Sequence, residues 1–114
     1  MSIDSDLAST LASTLSSRLW PMEAPANVAR PYGIYQLVSL VPTTHLAGVA
    51  SLTNYRYQVD LFGPDPGALA TLGSSVRTAM SAASAFKSIC LSEQELFDDV
   101  VQLFRRSIDF SIWQ

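Results

Sequence analysis

Hydrophobic and polar residues alternate along the end of the chain, from Phe104 to Trp113. One side of the alternation is apolar apart from a single arginine: Phe104, Arg106, Ile108, Phe110 and Ile112. The other side is polar: Arg105, Ser107, Asp109 and Ser111. A period of two built from aromatic and β-branched residues is typical of a half-buried strand. We therefore predict a closing strand whose apolar side faces a core.

An earlier stretch, residues 54–62, repeats this alternation, and we predict a strand there as well. Each of the two stretches has an arginine four residues before an aspartate on its polar side. If the two strands pair antiparallel, one register places Arg56 opposite Asp109. The same register places Asp60 opposite Arg105. Opposite charges directly across a ladder contribute about 0.2–1 kcal/mol each, so we predict two structural charge pairs.

Apolar side chains that recur every four residues predict an N-terminal helix over residues 2–17. The apolar stripe of this helix is Ile3, Leu7, Leu11 and Leu15. Its outer face is mostly Ser and Thr, which are mediocre helix formers, so the helix depends on docking the stripe. Residues 19–21 end the helix, and we expect residues 21–31, with three prolines, to form an extended connector.

Asp65 and Pro66 mark the start of a second helix that runs to about Ala82. Aspartate is a favoured N-cap, and proline is tolerated at the first helical position because an N–H there would have no partner in the helix. The predicted buried face is Leu69, Leu72, Val76, Ala79 and Ala83. Glycine in a helix interior costs about 1 kcal/mol relative to alanine. Gly73 therefore indicates a close approach of the helix to the sheet.

Residues 32–41 are apolar on both sides of the alternation, which is typical of a strand inside a sheet or against a neighbour. We expect Pro42 to end this strand, because proline cannot donate a hydrogen bond to the ladder. The connection that follows, residues 42–53, is longer than an ordinary hairpin loop. Loops of this length are more often functional.

A third strand is predicted over residues 86–91. The next residues, Ser92 to Glu95, form either a capping box that opens a short helix or a continuation of the strand. We favour a strand that continues to an acidic turn at Asp98-Asp99. The order of elements is then α-β-β-α-β-β, an α+β fold with one mainly antiparallel sheet and both helices packed on one face. The 114 residues are enough for one domain, 1–114, with its own core.

The composition argues against several classes of function. Apolar residues make up 48% of the chain and charged residues 15%, and the net charge of −3 disfavours an electrostatic grip on nucleic acid. The single cysteine, Cys90, excludes an internal disulfide, and its apolar neighbours predict a small buried side chain. We see no signal peptide and no stretch of about 20 apolar residues that would span a membrane. We expect a soluble protein made in a cytoplasm.

The search for catalytic chemistry indicates no enzyme, no metal site and no cofactor. His45 lies in the long loop without a fixed partner, and a triad with Ser107 and Asp109 would require this loop to swing in. The acidic residues of 93–99 lack the spacing and the glycine of an EF-hand, so we interpret them as a solvated turn. Trp113 is a large apolar group near the chain end. It either packs into a neighbouring subunit or caps its own core.

Four segments, in this order, carry a resemblance to a known family. They are "RPYGIYQLVS" (Arg30–Ser39), "HLAGVASLTNYRYQVDLFGPD" (His45–Asp65), "ALATLGSSVRTAM" (Ala68–Met80) and "LFRRSIDFSIW" (Leu103–Trp113). The chain resembles the siphophage tail completion family, the tail terminator or tail-to-head joining proteins. Residues 81–101 carry no part of the resemblance.

The resemblance implies a structural virion protein of the tail or neck, assembled in the host cytoplasm as a ring that is usually hexameric. Such a ring caps the head-proximal end of the tail tube, terminates its polymerisation and joins the head connector. The implied partners are further copies of the chain, the tail tube protein and the head–tail connector or stopper protein. DNA passes through without specific binding, and no membrane is involved. The implied contact residues of the long loop are His45, Leu46, Val49 and Leu52, to which we add Trp113 from the argument above.

Two other functions stay open at this point. Within the same machinery, the chain could be a head-side stopper or adaptor of the neck. Outside it, the chain could be a small monomeric ligand-binding or enzyme domain that uses the polar face of its sheet.

Overall fold

The computed structural model describes residues 3–15, 18–22, 24–25, 29–43, 52–100 and 102–114. The elements in chain order are α1 (Ile3–Ala12), β1 (Leu19–Pro21), β2 (Tyr32–Thr43), β3 (Leu52–Gly63), α2 (Pro66–Ala82), β4 (Lys87–Asp98) and β5 (Leu103–Trp113). The strands form one sheet in the order β1-β2-β3-β5-β4. β1 is parallel to β2 and every other pair is antiparallel, which confirms the α+β prediction and adds one strand to it.

Strand alternation determines which residues meet the helices. The side of the sheet under the helices, called here the helix-covered face, includes Tyr35 of β2, Tyr57, Val59 and Leu61 of β3, and Ile108, Phe110 and Ile112 of β5. The helices add Ile3, Leu7 and Leu11 of α1 and Leu69, Val76 and Met80 of α2 to the same buried cluster. The opposite side, called the open face, carries the polar set of the alternation: Arg56, Gln58, Asp60, Arg105, Ser107 and Asp109.

The N-terminal helix is shorter than predicted. α1 ends at Ala12, and the Leu15 N–H then donates to the Leu11 carbonyl at 3.1 Å, which keeps Leu15 in the core. Residues 19–21, predicted as the helix end and the start of a connector, instead form β1 beside Gly33–Tyr35. Sequence alternation could not reveal this strand, because three residues are too few to show a period.

β2 continues through Pro42 to Thr43, so the prediction that Pro42 ends the strand is wrong. Pro42 lies opposite Thr53 of β3, while β1 pairs only with Gly33–Tyr35. At Pro42, β2 therefore has a described strand on one side only. A sheet edge tolerates proline because no second ladder needs its missing N–H.

The preferred interpretation of residues 92–98 is confirmed, since β4 is one strand from Lys87 to Asp98. The turn that follows is closed by two hydrogen bonds. The Val100 N–H donates to Asp98 Oδ1 at 2.9 Å, and Gln102 Nε2 donates to the Asp99 carbonyl at 2.6 Å. Cys90, predicted to be buried, is exposed. The prediction is wrong because β4 is the last strand of the sheet, so no described strand covers its outer side.

The predicted start of α2 is confirmed, with Asp65 as N-cap accepting from the Gly67 N–H at 3.0 Å and Pro66 in the first turn. The predicted close approach at Gly73 is also present. A Cβ atom on Gly73 would lie 2.9 Å from Glu93 Oε2 and 3.0 Å from Arg106 Nε. Glycine at this position therefore makes room for two charged side chains between α2 and the sheet.

Alanine should have opposite effects at two glycines of this helix. We expect Gly67→Ala to raise the free energy of unfolding by about 0.5–1 kcal/mol, because it removes unfolded-state entropy. Its Cβ would meet nothing closer than 3.4 Å. Gly73→Ala should instead lower the free energy of unfolding, because its Cβ displaces Glu93 and Arg106. Urea denaturation of the two variants would check this, and equal gains in both would contradict the close approach.

Candidate assembly surfaces

The residues considered for catalysis do not form a site in the described part of the chain. His45 lies outside the described residues, while Ser107 and Asp109 lie on the open face. Among the described residues, no group of three or more His, Cys, Asp or Glu side chains could hold a metal ion. No described helix is long and apolar enough to cross a membrane.

The predicted register between β3 and β5 is wrong by two residues, because Gln58 rather than Arg56 lies opposite Asp109. The charged residues still meet across the diagonal, since side chains two residues apart share one face of a strand. Arg105 Nη2 lies 3.1 Å from Asp60 Oδ2. Arg56 Nη2 lies 4.0 Å from Asp109 Oδ2. The open face thus carries alternating, mutually paired charges.

The two diagonal pairs differ in their surroundings. The Asp60 side chain is 12% exposed, and Gln58 Nε2 also donates to its two oxygens at 3.0 and 3.2 Å. The side chains of Arg56 and Asp109 are 46% and 32% exposed, so their attraction is screened and contributes about 0–1 kcal/mol. The pair that includes Asp60 is therefore the stronger structural contact.

Arg106, the exception in the apolar side of β5, belongs to a charged cluster under α2. Its Nε donates to Glu93 of β4, which also accepts from Arg77 of α2. Glu95 lies 3.5 Å from Arg106 Nη1 at the more exposed end of the cluster. The cluster fastens α2 to β4 and β5. Sequence analysis assigned no role to Arg77, because its partner lies on a different element.

The aspartates of α1 contact the sheet. The Tyr57 hydroxyl donates to Asp4, and Gln114 Nε2 donates to Asp6, which is buried. Burial raises the pKa of Tyr57 above its ordinary value, and the hydrogen bond to Asp4 raises it further. Beside Tyr57 and Asp4, a cleft of about 170 Å³ opens along the free edge of β2 at Leu37.

Removing the Tyr57 hydroxyl should reduce the alkaline sensitivity of the fold. Because the folded pKa is raised, the stabilisation is complete below the unfolded value of 10.0 and is lost as the pH rises through the folded value. We expect Tyr57→Phe to be less stable than wild type at neutral pH by about 0.5–1.5 kcal/mol, through the lost hydrogen bond. Between about pH 9 and about pH 11, however, it should lose less stability than wild type.

Urea denaturation at several pH values would measure both effects. Tyr32 and Tyr35, whose pKa values burial also raises, are present in both proteins, so the difference between the two curves isolates Tyr57. Parallel curves would contradict the assigned role of its hydroxyl.

Both long edges of the sheet expose large apolar side chains. On β2 these are Leu37, Val38, Leu40 and Val41, and on β4 they are Ile89, Leu91, Leu96 and Phe97. Each is at least 43% exposed, whereas the central strands β3 and β5 contribute none to the exposed apolar residues described. Long apolar edges are templates for pairing with another chain. The apolar pattern of residues 32–41 had indicated either an inner strand or a neighbour, and the exposure favours a neighbour.

The predicted contact residues of the long loop lie between β2 and β3 in the chain, with Leu52 at the start of β3. His45, Leu46 and Val49 lie outside the described residues, and only the backbone of Leu52, opposite Thr43, is described. Trp113 is half-buried in β5. Its contact with a neighbouring subunit stays a prediction.

Internally paired charges combined with unpaired apolar strand edges are the features of a structural assembly subunit. Residues 2–114 match the family model described as tail completion protein gp17, so the chain belongs to that family, as its sequence motifs had indicated. Family membership assigns the protein a structural, non-enzymatic role in a phage tail.

Comparison with solved structures gives the same fold. A chain from the virion of a native gene transfer agent particle superposes with a TM-score of 0.70 at 10% sequence identity. The match covers 97% of this chain and 92% of that one. No curated protein matches the chain.

Proposed function

We propose that the protein forms a ring at the head-proximal end of the tail tube, ends the polymerisation of the tube and joins the tail to the head connector. The observation that supports a ring is that β2 and β4, on opposite sides of one sheet, both expose apolar edges. Two different surfaces that bind each other produce a head-to-tail interface, and such interfaces close into rings when the rotation allows it. The family resemblance implies six subunits.

The loop that joins β2 to β3 is the proposed contact with other tail or neck proteins. β2 and β3, each 12 residues long, flank this loop in the chain. His45, Leu46, Val49 and Leu52 would then meet the tail tube protein or the head connector, and Trp113 would pack against a neighbouring copy. The apolar members of this set would contribute the hydrophobic contacts of such an interface.

DNA passes through the proposed ring without specific binding. The arginines of the open face, Arg56 and Arg105, each lie beside an aspartate, and the chain has a net charge of −3. Few phosphate contacts are then available, so the affinity for DNA stays low. The channel of the ring requires a surface with low affinity for DNA, because DNA that bound tightly would not move through it.

Deletion of the gene for this protein would test this function, because particles would then assemble in the host cytoplasm without it. We expect overlong or unjoined tails, because nothing stops the tube, and we expect tagged protein to be imaged at the top of complete tails. Normal tails with leaking heads would instead assign the chain to the head side of the neck. A strictly monomeric protein by native mass spectrometry, even with tail tube present, would overturn the ring.

A further inference from the structure

The two outer strands are free over most of their length in the described chain. β1 covers β2 only at Gly33–Tyr35, so β2 has no second partner strand among the described residues from Gln36 onward. β4 pairs with β5 on one side and with no described strand on the other. Each of these strand edges exposes backbone N–H and C=O groups that can pair with the edge of another strand.

The strand directions suit pairing between copies. β2, β3, β5 and β4 alternate in direction across the sheet, so β2 and β4 run in opposite senses. If a second copy related by rotation presents its β2 to β4 of the first, the two strands are antiparallel. The alternation then continues without a break from one copy to the next. A sheet whose edge strands ran the same way would give a parallel contact, which is slightly less stable per residue.

The charges at one end of the two edges are also complementary. Residues that lie opposite one another across the sheet form rows. Tyr32, at the start of β2, lies in the same row as Leu96, near the end of β4. Arg30, just before β2, is exposed and makes no ion pair with described residues. Glu95 and Asp99, around the end of β4, are exposed acids. Antiparallel pairing of β2 with β4 brings these basic and acidic groups to the end where β1 covers Gly33–Tyr35, beside the free part of β2.

We propose that β4 of each copy pairs with the free part of β2, from Gln36 onward, in the next copy, and that this contact links the subunits of the ring. The inference rests on the proposed ring and names its interface. The exposed apolar residues of the two edges, such as Leu40 and Ile89, are covered in the assembly. The repeated contact makes the sheets of successive copies continuous, so the free part of β2 in every copy is paired once the ring closes.

Cys90, the only cysteine of the chain, permits a direct test. It is exposed on β4 opposite Phe110, so it lies on the helix-covered side. On β2, Leu37 lies opposite Tyr57 and Leu40 opposite Tyr55, which places both on that same side. The matched controls are Ser39 and Val41, which lie opposite Arg56 and Asn54 on the open side.

Each of these four residues is replaced by cysteine in the full chain, and the proteins are exposed to copper-catalysed air oxidation and separated on a non-reducing gel. Disulfides need Cα atoms about 4.4–6.8 Å apart, the spacing of facing strands. We expect Leu37→Cys or Leu40→Cys to give a ladder of bands beyond the dimer. Ser39→Cys and Val41→Cys should stay monomeric on the gel, as should wild type. Circular dichroism checks that all variants are folded.

Three results would overturn the proposal. Wild-type dimers joined through Cys90 would mean that β4 pairs with β4, and equal cross-linking by Leu40→Cys and Val41→Cys would mean random collision. If neither Leu37→Cys nor Leu40→Cys cross-links although native mass spectrometry shows a ring, the interface is wrong and the ring function stands. If the wild-type protein is monomeric, the proposed ring is itself contradicted, whatever the cross-linking shows.

Discussion

Replacement of Phe110 with alanine is expected to lower the free energy of unfolding by about 3–5 kcal/mol. Phe110 is 1% exposed and lies in β5 between Tyr57 of β3 and Cys90 of β4. Its ring fills the middle of the core between the sheet and the helices, so truncation removes apolar contacts and leaves a cavity. A domain of this kind is stable by only about 5–15 kcal/mol, so the variant loses a large share of its stability.

Urea denaturation, followed by far-UV circular dichroism, would measure this loss. It should be repeated at several protein concentrations, because assembly adds to the apparent stability. Phe97→Ala is the matched control. Phe97 is 49% exposed and has its ring 5.1 Å from Phe104, so the folded monomer should lose no more than about 1.5 kcal/mol. Equal losses in the two variants would show that Phe110 is not the centre of the core.

The second large effect is expected for Glu93→Gln, which should lower the free energy of unfolding by about 1–3 kcal/mol. The Glu93 side chain is 13% exposed and accepts from both Arg77 and Arg106. A neutral amide removes the charge that balances two arginines, and it leaves their half-buried guanidinium groups without a counter-ion. The attachment of α2 to β4 and β5 should weaken most.

Glu95→Gln is the control for this experiment. Glu95 is 49% exposed and lies 3.5 Å from Arg106, so screening by solvent should keep its loss below about 1 kcal/mol. Thermal and urea denaturation at low and high salt would compare the variants. A Glu93→Gln protein as stable as wild type would mean that the cluster does not fasten α2 to the sheet.

Local patterns in the sequence determined most of the secondary structure. Residues 104–113 alternate apart from Arg106, and Asp65-Pro66 combines an N-cap with a helix-starting proline, so both elements were predictable within a few residues. Gly73 in α2 predicted a close approach because only tertiary contact explains its cost in a helix interior. The family resemblance predicted a phage tail protein, because four separate segments carried the resemblance in order.

Tertiary structure alone decided the register and the exposure of the edges. A shift of two residues keeps every side chain on its face, so alternation cannot distinguish Arg56 opposite Asp109 from Gln58 opposite Asp109. Apolar residues look alike in sequence whether they are covered by a helix or left at an edge, which is why Cys90 was expected to be buried.

The sequence by itself therefore determined the element types except β1, the core stripes and the family of this protein, because these depend on spacing along the chain. Which apolar strands remain uncovered depends on the strand order β1-β2-β3-β5-β4 and on where the two helices end. Those are long-range properties of the packed molecule. They leave β2 and β4 as the two free edges, since β1 pairs with β2 only at Gly33–Tyr35 and β4 pairs with no described strand except β5.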